Sequence, residues 1–393
     1  MVDFTLDDKT QEIKEKVHHF LDEEVIPREG ELEQGAGNLE ALRGELQDRA
    51  KKTGIFLPHL PEEVGGLGLN WRQTAVVLEE AGRSLLGPQA LNAAAPDEAN
   101  MHLLYHAGDK PQRARYLEPL AEGEIRSCFA MTEPAPGAGS DPSLLRSTAE
   151  RKNGKWAING NKWFITGADG AEFAIVLVQT PEGPTMFLVE TDNPGFRLQR
   201  NIPTMDEMMP GGHGQIELDD CAVDSDAVLG EVGKGFEYAQ VRLGPARLTH
   251  CMRWLGVAVR SMEIATRYAL ERESFGHNLS GHQAVQWMVA DSHTQMYAAR
   301  LAIWHTAWKL DEGDKAKQEV AMTKVFVAET VDRVVDRALQ ICGALGVSED
   351  TPLSRFYREV RPFRIYDGPN EIHRGSIARR VFKTAEEDKR DAN

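Results

Sequence analysis

The hydrophobic period of this chain changes twice, and that constrains its fold more than any other feature. From about residue 125 to residue 235 the sequence breaks into short β-branched or aromatic runs: "RSCFAMTE", "KWAINGNKWFITG", "FAIVLVQT", "TMFLVET" and "GQIELDDCAV". Turn residues separate them at Asn153-Gly154, Asn159-Gly160 and Pro181-Glu182-Gly183. No helical repeat lies between them, so the runs belong to an antiparallel sheet or barrel and not to βαβ units.

On both sides of this stretch the spacing is helical. Near the start, Thr5 with Asp8 reads as a weak capping box, and Ile13, Val17, Phe20, Leu21 and Val25 form a stripe that Pro27 closes. "LEALRGELQDRAKKTG" and "WRQTAVVLEEAGRSLL" continue the helical pattern, with the glycines of "LPHLPEEVGGLGLN" serving turns between them. After residue 235 come a long helix interrupted near Gly244-Pro245, a second over "GHQAVQWMVADSHTQMYAARLAIWHTAWKLDEG", and a third. The stripe of the third is Val327, Val331, Val334, Val335, Ala338, Leu339 and Cys342. Long striped helices with short connections predict a bundle. The expectation is an α+β chain: an N-terminal all-α domain over residues 1–125, a small antiparallel β domain over 126–234, and a C-terminal four-helix-bundle-like domain over 235–393.

A length of 393 residues with 41% apolar content supports several real cores. The net charge of −16 argues against nucleic acid and anionic membrane as partners. Cys128, Cys221, Cys251 and Cys342 are scattered without a CxxC pair, which reads as reduced thiols with no metal site and no disulfide framework. There is no apolar run of membrane-spanning length and no basic-then-apolar leader in "MVDFTLDDKTQE", so a soluble cytoplasmic protein is expected.

Four stretches carry chemistry. "CFAMTEPAPGAGSD" runs from a strand into a Gly/Pro loop that can present backbone N–H groups and hydroxyls to a flat heterocycle or a phosphate. By itself it reads first as an ordinary turn, and it lacks the third glycine of a dinucleotide-binding fingerprint. "KWFITG" offers an aromatic wall and a hydroxyl on a strand, or plain strand core. "RESFGHNLSGHQ" sets Arg272 and Phe275 on one helical face, with a Gly-rich corner leading to His282 and Gln283; the fork of Arg272 suits a diphosphate. "IYDGPNEIHR" places Asp367 on a Gly-Pro corner, where an Asx-type turn is the bland alternative.

In this order, and joined by "QICGALG", these motifs resemble the flavin-dependent acyl-CoA dehydrogenases over nearly the whole chain. The stretches "PGGHGQIELDDCAV" and "GFEYAQVRLGPARLTHCMRWLG" are similar to one branch, in which some members carry a fused kinase-like phosphotransferase domain. The resemblance implies FAD as cofactor, an acyl-CoA as substrate, an electron-transfer flavoprotein as acceptor and a role in fatty acid β-oxidation. It also implies a homo-oligomer, a dimer of dimers. Phe129, Met131, Thr132 and Ser140 would line the flavin, with Thr132 hydrogen-bonded to the isoalloxazine and Ser140 also near substrate. Phe164 and Thr166 would cover its other side. Arg272, Phe275, His282, Gln283, Gln340 and Gly343 would reach the FAD of a neighbouring subunit; Glu371 matches a further cofactor contact, and Arg247 an arginine on the substrate side.

Asp367 matches the catalytic base, which takes the proton α to the thioester carbonyl while flavin N5 takes hydride from the β carbon. In this family the developing enolate is held by the flavin ribityl hydroxyl and the base's own N–H. Most members carry Glu there; Asp is shorter by roughly 1.5 Å. The alternative base position of a minority of the family is Ala246 here, which cannot abstract a proton. The flavin loop is two residues longer than the common "TEPGSGSD", Pro369 stands for a usual Thr, and Ala344-Leu345 for Gly-Asn. An oxidase of nitroalkane-oxidase type, which also uses Asp, and a non-catalytic flavin-binding relative are the competing readings. The branch points to long, branched or hydroxylated acyl groups.

Overall fold

The computed structural model describes residues 5–34 and 36–391. Its contacts divide it into two compact units, one drawing on Met1–Pro27, Leu69–Pro88 and Arg247–Asn393, the other on Arg28–Gly68 and Gln89–Ala246.

In the first unit, helix α1 (Asp8–Phe20) starts on Asp7, whose carboxylate accepts from the Thr10 N–H at 2.8 Å. The Thr5 cap read from the sequence is therefore displaced: a carboxylate answers free helical N–H groups and the positive helix end better than a hydroxyl. Ile13, Val17, Phe20, Leu21 and Val25 are all buried as the stripe requires. Pro27 does not end the helical path. Leu21–Val25 widens to a π turn and Ile26–Gln34 tightens to a 3₁₀ run, with Pro27 early in the new run, where a missing N–H costs little.

Helix α2 (Ala36–Thr53) belongs to the second unit, and α3 (Trp71–Ala81) to the first. In the second unit α4 (Asp97–Ala107) pins the start of strand β1 (Ser127–Ala130). Asp97 Oδ1 accepts from Ser127 N at 2.9 Å and from its hydroxyl at 2.6 Å, and Asn100 Nδ2 donates to the same hydroxyl at 2.8 Å. The remaining strands are β2 (Thr148–Lys152), β3 (Lys155–Thr166), β4 (Phe173–Thr180), β5 (Gly183–Glu190), β6 (Phe196–Asn201), β7 (His213–Val223) and β8 (Val228–Leu229). They lie in the order β6-β7-β3-β2-β4-β5-β8, with β1 beside β4. Pairing is antiparallel except that β1 runs parallel to β4 and β2 meets β4 in parallel at Thr148. β1 arrives from a helical segment and not from a hairpin, so no tight turn dictates its direction. Trp156, Ile158, Val176, Phe187, Ile216 and Leu218 fill the core under the sheet.

Helix α5 (Gly235–Glu271) runs unbroken through Pro245, contrary to the interruption expected there. A proline removes one ladder bond, and the neighbouring turns are fixed by burial of Arg242, Ala246 and Leu248. In the first unit α5 crosses the end of α3 at two glycines: a Cβ on Gly82 would lie 2.0 Å from the Arg253 carbonyl, and one on Gly256 2.1 Å from that of Glu79. Helices α6 (Gln283–Asp311), α7 (Lys317–Cys342), α8 (Leu353–Val360) and α9 (Asn370–Asp391) complete this unit, α7 packing on the other three. Of the stripe on α7, all but Leu339 is fully buried.

Candidate functional site

The expected residues fall into both units. In the β unit, a bulge between Lys162 and Ile165 interrupts the pairing of β3 with β7. Phe164 takes φ +50° there and turns its ring outward, 47% exposed, edge-on to Trp163 at 4.9 Å. Thr132 lies opposite Trp163: its hydroxyl donates to the Trp163 carbonyl at 2.6 Å and its carbonyl accepts from Trp163 N at 3.1 Å. Met131, Thr132 and Thr166 are partly buried, Phe129 lies under the Arg242 guanidinium at 4.1 Å, and Ser140 is exposed in the loop. A half-open aromatic face flanked by hydroxyls and a thioether fits the isoalloxazine of FAD, a flat ring with a polar edge. With its proton committed to Trp163, Thr132 can serve such a ring only as an acceptor.

What braces this loop is a buried ion pair. Lys162, fully buried in the bulged strand, places Nζ 2.9 Å from Glu133 Oε1 and also donates to the carbonyls of Met131 (3.1 Å) and Leu177 (2.6 Å). Glu133 in turn accepts from the backbone N–H groups of Arg146 (2.8 Å), Ser147 (2.9 Å) and Ala138 (3.3 Å), closing the base of the "TEPAPGAGSD" loop. Burial works to raise the Glu133 carboxyl, but Lys162 and the Ser147 bonds outweigh it and hold it at about 2.

In the helical unit, the corner of Asp367 has left-handed backbone at two consecutive residues, φ +54° at Asp367 and +93° at Gly368. Asp tolerates that conformation better than bulky residues, and glycine adopts it freely. Rigidity of the corner comes less from Pro369 than from side chains of α5, α7 and α9. Arg247 Nε donates to the Asp367 carbonyl at 2.8 Å, His373 Nε2 to the same oxygen at 3.1 Å, and Lys324 Nζ to Gly368 O at 2.9 Å and Asn370 Oδ1 at 2.8 Å. Burial pushes Lys324 down to about 8, and burial together with the Arg247 charge pushes His373 down to about 4.

The Asp367 side chain is 14% exposed, and its buried Oδ2 makes no hydrogen bond among the described residues. His250 Nε2 stands 3.3 Å from that oxygen. Arg253 donates to His250 Nδ1 at 3.0 Å, which puts the ring proton on Nε2, toward Asp367. Phe363 and Tyr366 pack on the His250 ring at 5.7 and 5.0 Å. The Asp367 carboxylate is thus held in a largely enclosed site, with the His250 ring N–H beside its Oδ2 and no full hydrogen bond made to that oxygen among the described residues.

The expected helical face shared by Arg272 and Phe275 does not exist. α5 ends at Glu271, and strands β9 (Glu273–Ser274) and β10 (His277–Asn278) form a hairpin with Phe275 (φ +53°) and Gly276 (φ +89°) at its tip. Two consecutive positive φ values are the geometry of a tight hairpin turn. Phe275 is left 93% exposed. His282 caps α6, its ring 4.0 Å from that of His277 and 6.3 Å from that of Phe275, and Gln283 opens the helix. Arg272, Gln283, Gln340, Gly343 and Glu371 are exposed.

Sequence reasoning passed over Glu133, Lys162, Lys324, His250 and His373. The available signal was a lone charged or histidine residue inside an apolar register: Lys162 in "KWFIT", and Lys324 on the α7 stripe with Val320, Ala321, Val327 and Ala328. Among the described residues no group of His, Cys, Asp and Glu could hold a metal ion, and no helix is long and apolar enough to cross a membrane.

Comparison with known proteins places three family models along the chain. Family models for the N-terminal, middle and C-terminal domains of acyl-CoA dehydrogenase match residues 7–124, 128–221 and 233–382. The chain is 38% identical over 395 residues to acyl-CoA dehydrogenase family member 11 of Gallus gallus, covering 94% of this chain and only 50% of that protein. It is 35% identical to (R)-benzylsuccinyl-CoA dehydrogenase of Thauera aromatica, covering 97% of each. Butyryl-CoA dehydrogenase of Megasphaera elsdenii superposes with a TM-score of 0.86 at 27% identity, over 97% of this chain and all of that one. With all three domain models matched in order along its length, the chain belongs to the acyl-CoA dehydrogenase family.

Proposed function

We propose that this chain is an FAD-dependent acyl-CoA dehydrogenase that removes the α proton of an acyl-CoA thioester with Asp367 and yields a trans-2-enoyl-CoA. Family membership supports the enzyme class and the cofactor. One observation carries the assignment of the base: Asp367 Oδ2 is buried, bears no hydrogen bond among the described residues, and sits on a corner tied down by Arg247, His373 and Lys324. FAD, when bound, supplies the acceptor for the β hydride.

Phe164, Thr166, Phe129, Met131 and Thr132 are the residues of the β unit that would hold the ring. Ser140 and Arg247 would meet the substrate. The exposed residues Arg272, Phe275, Gln283, Gln340, Gly343 and Glu371, with half-buried His282, would contact FAD across a subunit boundary. Exposed Trp287, Tyr297, Val381 and Phe382 support a homo-oligomer, which we take as a dimer of dimers. Electron-transfer flavoprotein is the proposed acceptor, and residues 1–125, 126–234 and 235–393 the proposed domains.

An anaerobic series of acyl-CoAs of graded length and branching, followed by flavin absorbance, tests the reading. Bleaching by at least one acyl-CoA, with slow reoxidation in air, is expected. Reoxidation by air within seconds and no bleaching by any acyl-CoA would instead mark an oxidase.

A further inference from the structure

We propose that Asp206 and His213 are positioning residues that fix the direction of the Thr166 hydroxyl, so that Thr166 offers the flavin ring an acceptor and no donor. This rests on the FAD reading above and goes beyond it. His213 opens β7 and is the cross-strand partner of Thr166, the last residue of β3. Its Nδ1 lies 3.0 Å from Thr166 Oγ1, and its Nε2 lies 2.9 Å from Asp206 Oδ2. Both side chains are largely enclosed, 13% exposed for His213 and 12% for Asp206.

The chemistry of the three groups leaves one arrangement for a neutral ring. A carboxylate only accepts, so the imidazole proton sits on Nε2. Nδ1 is then an acceptor, and the Thr166 O–H must donate to it. The hydroxyl oxygen keeps its lone pairs and has no proton left for the cofactor. Burial works to raise the Asp206 carboxyl, but the hydrogen bonds from His213 and Thr204 hold it below its ordinary value. Ahead of β7, Gly211 and Gly212 take φ +76° and +56°, and a Cβ on Gly211 would lie 2.2 Å from the Asp169 carbonyl. The turn that delivers His213 is therefore one that glycine alone permits.

An oxidised flavin presents bare ring nitrogens, and two-electron reduction places hydrogen on them. A hydroxyl that can only accept complements the reduced ring, whereas one free to donate complements the oxidised ring. The relay thus raises the reduction potential of the bound flavin.

The test is spectroelectrochemistry of the FAD-loaded enzyme with the variants His213→Leu and Thr166→Val, singly and combined, joined to ¹⁵N NMR of the histidine rings in the apoprotein. His213→Leu should lower the reduced-to-oxidised ratio at fixed potential about tenfold, equivalent to about 30 mV for a two-electron couple. In the Thr166→Val background the same change should do nothing, which a merely structural role of His213 would not produce. The His213 ring of the wild-type apoprotein should carry its proton on Nε2, with Nδ1 bare. FAD bound at an unchanged potential in His213→Leu, or a ring proton found on Nδ1, overturns the proposal while leaving the FAD reading intact. A protein that binds no FAD overturns both.

Discussion

Glu133 is nearly as buried as a carboxylate can be, and its cation, Lys162, is fully enclosed with it. Removing one member of such a pair leaves a charge in a medium that cannot solvate it. Lys162→Met is therefore expected to cost about 3–5 kcal/mol in urea unfolding. A loss under about 1 kcal/mol would show that the pair is not ionised or not enclosed. His373 gives a pH dependence. Its ring is held at about 4 in the folded chain against an ordinary 6.5, so between those values the unfolded chain binds the proton and the folded chain does not. This group leaves stability untouched above pH 6.5, takes it away as pH falls from 6.5 to about 4, and adds no further loss below. Thermal unfolding from pH 7 to pH 4 should fall less steeply in His373→Gln than in the wild type. Equal slopes would mean that the ring titrates normally.

At the scale of elements, the crossing of α3 and α5 depends on two hydrogen atoms in place of side chains. Gly256→Ala would drive a methyl group into the Glu79 carbonyl, at 2.1 Å, so the helices must separate; a loss of about 1–3 kcal/mol is expected by chemical denaturation. An unchanged midpoint would mean the helices part freely. The apolar stripes of α1 and α7 were legible in the sequence because burial on one face imposes its period on the residues themselves. Breakers were less legible. Pro27 and Pro245 are stops for an isolated helix, but tertiary packing carries the path past both. The hairpin at Phe275-Gly276 was hidden for a different reason: a bulky aromatic rarely adopts positive φ, so "SFGH" does not read as a turn.

For the whole molecule, the architecture could be read from the two changes of hydrophobic period, and the site only from the conjunction of motifs. "YDGPNEIHR" named Asp367, yet nothing local foretold that Arg247, Lys324 and His373 would converge on its corner from three helices. Such convergence is a property of the fold, and a single charge in an apolar register reads equally well as a solvated residue. The exposed hairpin carries a prediction at this scale. Arg272→Ala should lower FAD retention about tenfold on dilution, which about 1.4 kcal/mol of lost binding would produce. The unfolding midpoint of the chain should stay unchanged, since an exposed side chain contributes little to it. Full retention of FAD would remove Arg272 from the cofactor site. The central claim is that Asp367 takes the α proton. The most direct measurement is the rate of anaerobic flavin bleaching by an acyl-CoA in FAD-loaded Asp367→Asn beside the wild type. A fall of about 10²–10⁴-fold with FAD still bound is predicted; bleaching at the wild-type rate would contradict the account.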